Sequence, residues 1–110
     1  MAKTLTLTFE GKDYELEFTR ETLKLMERNG FIGDDLVNKP MTMLPEFFAY
    51  AFQAHHKWDI KRKDIDRIFK ATPNKGELLA KLVEMYREPL ESLMEDPEVD
   101  EGNASWRAGF

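Results

Sequence analysis

The chain has 110 residues, enough for one domain with one core, and carries a net charge of −5. Its 42% hydrophobic and 34% charged content is that of an ordinary globular domain and argues against a disordered chain. Without cysteine it has no disulfide or thiolate chemistry, which suits a reducing compartment. No apolar run approaches the ~20 residues of a transmembrane helix, and Met1-Ala2-Lys3-Thr4 lacks a signal-peptide core.

Residues 4–18 read as a hairpin. Leu5, Leu7 and Phe9 alternate with Thr4, Thr6 and Thr8, and Tyr14, Leu16 and Phe18 alternate with Glu15 and Glu17. Period two with β-branched and aromatic residues is the strand signature. The segment Glu10-Gly11-Lys12-Asp13 serves as the connection, with Gly11 for an unusual backbone angle. A lone hairpin is marginal in water, so its apolar face must pack on helices.

Thr19 predicts an N-cap, followed by a short helix with Leu23 and Met26 on its buried face. Gly30 suits the left-handed position after that helix, with Phe31 folding back onto it. Residues 32–41 carry Gly33, Asn38 and Pro40 and read as a loop. Thr42 then predicts a second cap, with Pro45 tolerated in the first turn of a helix reaching His55. Leu44, Phe47, Phe48, Ala51 and Phe52 make that helix apolar nearly all round, the mark of a central helix.

A shorter helix is predicted over roughly 62–71, with Ile65, Ile68 and Phe69 inward. The last helix starts near Gly76 or Glu77, with Leu79, Leu82, Val83, Tyr86, Leu90, Leu93 and Met94 as its stripe. Pro89 removes a backbone donor and predicts a kink or a split. These segments predict an α+β fold: a two-stranded antiparallel hairpin packed on about four helices. Residues 1–95 form one domain, and 96–110 a flexible acidic tail.

Charge falls into three blocks. Residues 1–56 carry six basic and nine acidic side chains, 57–76 seven and three, and 77–110 three and nine. Opposite blocks on one chain predict electrostatically assisted head-to-tail self-association. Lys61, Arg62 and Arg67 in the basic block, with Trp106 and Phe110 in the tail, are the candidate partner-binding residues. The aromatic pair either docks back on its own domain or anchors a partner.

Catalytic chemistry finds little purchase. His55-His56 is the one tempting metal or acid–base pair, but adjacent histidines diverge on a helix, and no Asp, Glu or Cys stands at ligand spacing beside them there. Asp64 and Asp66 also diverge and read as partners of nearby lysines and arginines. The expectation is therefore no enzyme, no catalytic residue, no metal and no cofactor.

The order of the segments nonetheless points to a family. The hairpin LTFEGKDYELEF, the unit TRETLKLMERNGF, the aromatic helix PEFFAYAFQAHH, and then DIDRIF, LLAKLVEMY and a terminal GNASW cover most of residues 5–106. Together they resemble the tail assembly chaperones of long-tailed phages and of prophages in Gram-positive bacteria. The resemblance implies a non-enzymatic protein of the host bacterial cytoplasm that self-associates and binds the tape measure protein before the tail tube polymerises around it. Many members are also made in a longer frameshifted form, and by this resemblance the chain looks like the short one. Two other classes stand beside this reading. One is a small structural tail or head-completion protein. The other is a nucleic-acid-binding regulator using segment 57–75, against which the acidic balance and the lack of a reading helix argue.

Overall fold

A computed structural model of the chain describes residues 3–96 and 104–110. Two strands, β1 (Thr4–Phe9) and β2 (Lys12–Glu17), form an antiparallel hairpin with Leu5 opposite Leu16, Leu7 opposite Tyr14 and Phe9 opposite Lys12. The turn is shorter than the four residues read from the sequence. Glu10 and Gly11 alone make it, at φ of 51° and 78°. Positive φ at both positions is the primed geometry whose twist matches the flanking strands, and it leaves Lys12 and Asp13 free to join β2.

Helix α1 (Arg20–Arg28) begins and ends as its sequence dictates. The Thr19 hydroxyl accepts from the Thr22 amide at 3.1 Å. At the other end Gly30 takes φ 83°; its amide donates to the Glu27 carbonyl at 3.0 Å, and the Phe31 amide donates to that of Met26 at 2.9 Å. That bond pair is the Schellman stop, and Phe31 returns into the core as its apolar partner.

The stretch 32–41 is not a plain loop. It holds the one-turn helix α2 (Asp35–Asn38), and α3 (Pro40–Tyr50) already starts at Pro40. Proline at the first helical position supplies a preset φ and lacks only an amide that would have no partner there. Thr42 is therefore inside the helix rather than its cap. The aromatic helix also ends earlier than its apolar pattern. From Ala51 the chain tightens into turns, with the Ala51, Phe52 and Gln53 amides donating to carbonyls three residues back.

Helix α4 (Arg62–Ala71) matches its predicted span, with Ile65 and Ile68 buried. Its exposed carbonyl end is satisfied by the Lys75 ammonium, which donates to the Thr72 and Lys70 carbonyls at 2.7 and 3.2 Å. Helix α5 (Lys75–Leu93) runs through Pro89 as one assigned helix, so the predicted split does not occur. The architecture is thus α+β: among the described residues, one hairpin with five helices, the short α2 being the one beyond the four expected.

The core gathers β2, α1, α3, α4 and α5. Phe47, Phe48, Ala51, Phe52, Leu16 and Leu82 are each at most 1% exposed. Phe47 stacks on Phe18 at 4.9 Å and meets Tyr86 edge-on at 5.5 Å, while Phe48 meets Phe52 at 5.2 Å and Phe69 at 4.9 Å. Tyr86 and Leu79 are half-buried beside this cluster, and burial pushes the Tyr86 phenol up from its ordinary pKa. On α5 the buried stripe is Leu82 and Met85, not the longer run read from periodicity.

Candidate functional site

The two histidines lie in the turns after α3 and hold the outer edge of β2. The Glu15 amide donates to His56 Nε2 at 2.9 Å, so Nδ1 carries the proton and donates to Asp59 Oδ2 at 3.1 Å. That hydrogen bond, with Lys12 also nearby, holds the Asp59 carboxyl below the usual carboxylate range. The Glu17 amide donates to the Ala51 carbonyl at 3.0 Å. These bonds explain where the aromatic helix stops, since the backbone at 51–56 turns to serve the strand.

His55 meets two acids on the same face of β2. Its Nε2 lies 2.7 Å from Glu17 Oε1 and its Nδ1 lies 3.8 Å from Glu15 Oε2. One ligand atom from each of Glu15, Glu17 and His55 falls within 4.8 Å of the others, a grouping that could hold a metal ion. Sequence reasoning missed it because it sought ligands along one helix, whereas alternation in a strand puts residues two apart on one face. Each ring nitrogen is turned to its own carboxylate, Nε2 within hydrogen-bond distance of Glu17 and Nδ1 farther from Glu15.

The predicted partner-binding residues part ways. Arg62 is exposed, with its guanidinium 2.9 Å from both Glu46 Oε1 and Asp66 Oδ1, and the first of these pairs ties α4 to α3. Arg67 lies over the Phe9 ring at 5.2 Å and donates to Glu10 Oε1 at 3.0 Å, which fastens α4 to the hairpin turn. Lys61 is exposed at the start of α4. Trp106 and Phe110 are 89% and 113% exposed in a segment without regular structure. Residues 97–103 of the expected flexible tail lie outside the described residues. The basic block thus pairs with Glu10, Glu46 and its own acids. Among the described residues it makes no ion pair with the acidic block at 77–110.

Further candidates come from apolar side chains that the fold leaves outside. Ile32, Val37 and Met41 lie on and around α2, and Leu90, Leu93 and Met94 at the end of α5. Val37, Met41 and Met94 are each more than 80% exposed, as is Trp58 in the turn before α4. Single exposed apolar residues are ordinary, but runs on neighbouring turns mark interaction surfaces. The sequence had placed Val83, Leu90, Leu93 and Met94 in the core. Val83 turns away from the core between buried Leu82 and Met85, and Leu90, Leu93 and Met94 face outward at the end of the helix.

Fold and surface together define a small α+β domain with exposed apolar side chains at two helix ends. The chain belongs to the family described as "Domain of unknown function (DUF5055)", which it matches over residues 1–110. No curated protein and no solved structure gives a significant match to it. Among the described residues no helix is long and apolar enough to cross a membrane.

Proposed function

We propose that this protein is a tail assembly chaperone of a long-tailed phage or prophage of Gram-positive bacteria. It binds the tape measure protein and keeps it soluble in the host bacterial cytoplasm, self-associates, and catalyses no reaction. The order of segments in the sequence supports the family reading, as set out above. The observation that carries the binding role is the pair of bare apolar segments, Ile32, Val37 and Met41 at one helix end and Leu90, Leu93 and Met94 at another. Helical clients rich in apolar surface aggregate when unprotected. Methionines on unbranched, polarizable side chains adapt to varied apolar partners. Many weak contacts along one long client add up through avidity.

Co-expression with the tape measure protein tests this. The soluble fraction of the client should rise with the chaperone present and fall back with Met41→Asp or Met94→Asp. No gain in client solubility would contradict the proposal. Mass spectrometry of purified particles separates the structural-protein reading, since a chaperone should be missing from the virion.

A further inference from the structure

The two edges of the hairpin are finished differently. The pair Phe9 and Lys12 closes a two-residue turn, so their backbone groups face each other across the ladder. By alternation those of Leu7, Leu5, Tyr14 and Leu16 do the same, and those of Thr4, Thr6 and Thr8 on β1 and of Asp13, Glu15 and Glu17 on β2 face outward. The bonds on β2 agree with that assignment. The outward amides of Glu15 and Glu17 are the two that meet His56 and Ala51. On β1 no described residue takes up the outward backbone groups of Thr4, Thr6 and Thr8.

Within Thr4–Phe9 no residue of the β1 edge discourages pairing. Proteins guard open edges with charges, prolines, bulges or a covering loop. Thr4–Phe9 contains no charge and no proline. Its apolar residues Leu5, Leu7 and Phe9 are only half-buried, and they line a groove of about 370 Å³ whose far wall includes Ile68, Pro73 and Leu78.

We propose that β1 is the docking edge for β1 of a second copy of this chain, giving a four-stranded antiparallel sheet in the order β2, β1, β1, β2. The strand is its own complement. A twofold axis at Thr6 sets Thr6 opposite Thr6 of the second copy and Thr4 opposite Thr8, so every outward donor meets an outward acceptor. Leu5 then faces Leu7 of the second copy on the groove side, and threonines face threonines on the outer side. Charge favours the same antiparallel order. Lys3 and Glu10 flank the strand, bonded to Glu84 and Arg67 at 3.1 and 3.0 Å, and the twofold puts each Lys3 beside the other copy's Glu10 end. A parallel pairing would set like charges together. The inference deepens the self-association in the proposed function by naming its surface, and makes that contact isologous rather than head-to-tail.

Hydrogen exchange by NMR on the whole chain over a concentration series tests the proposal, with mass followed by sedimentation. The amides of Leu5, Leu7 and Phe9 should be protected at every concentration. Those of Thr4, Thr6 and Thr8 should gain protection in step with dimer formation. Thr6→Lys places like charges across the twofold and should abolish dimerisation, while Thr6→Val should retain it. Free exchange of the three threonine amides in an associated sample overturns the proposal. So does a chain that stays monomeric at its highest attainable concentration. Protection that arises only on adding the tape measure protein assigns the edge to the client and equally overturns it. The wild-type exchange data decide the matter even if Thr6→Lys fails to fold. Client solubility through Met41 and Met94 is read separately, so failure here and failure of the chaperone reading are distinguishable.

Discussion

The middle of α3 and the far end of α5 carry similar apolar residues and meet opposite fates. Phe47 and Phe48 are fully buried, whereas Leu93 and Met94 are 64% and 82% exposed. Both stretches show helical periodicity, so the pattern alone does not separate them. What separates them is company. Phe47 and Phe48 have Phe18 just after β2, Phe69 of α4 and Tyr86 of α5 around them. At the end of α5 the polar side has a neighbour, Arg20 of α1 donating to Ser92 at 3.2 Å, while Leu93 and Met94 face outward. An apolar stripe states that a helix wants a partner, and the rest of the chain decides whether that partner is internal.

Substitution sharpens the contrast. Phe48→Ala should lower stability by about 3–5 kcal/mol, read as a drop in denaturant midpoint at constant slope. Leu93→Asp and Met94→Asp should leave stability within about 0.5 kcal/mol, because the site is already wet. Comparable losses at both places would break the comparison.

Effects of intermediate size belong to the seams between regions. His56→Ala leaves the Glu15 amide without its acceptor and should cost about 1–3 kcal/mol, with faster exchange at Glu15 as the local signature. Thr19→Ala removes the α1 cap and should cost about 1 kcal/mol.

The smallest effect is a pH dependence. The Asp59 carboxyl is held low by its bond to His56, so its folded value lies below its unfolded one. Its contribution is therefore present above the ordinary carboxylate pKa and is lost as pH falls through the lowered value. A plot of thermal midpoint against pH should fall less steeply below about pH 4 in Asp59→Asn than in the parent.

Local rules made much of this fold legible. Period two marked β1 and β2, Thr19 and Gly30 bounded α1, and Ile65 and Ile68 placed α4, because each signal is set by residues within one or two turns. The misses lie where distant segments intervene. The aromatic helix stops at Tyr50 because the backbone beyond it turns to serve Glu15 and Glu17, residues far off in sequence. Pro40 was read as a loop residue although the same proline fits a first helical turn. The ion pairs of Arg62 with Glu46 and of Arg67 with Glu10 were likewise not legible, because the fold brings those acids from other elements, and both arginines stay exposed. Among the candidate residues, Trp106 and Phe110 stay exposed where the sequence had left two fates open.

In the proposed function the bare helix ends, not the core, would receive the tape measure protein. Hydrogen exchange with mass spectrometric readout, comparing the free chain with its complex with the tape measure protein, measures this directly. Protection should increase in segments 32–41 and 90–94 and stay unchanged around Phe47, Phe48 and Leu82. Stable binding with no added protection in either segment would contradict it.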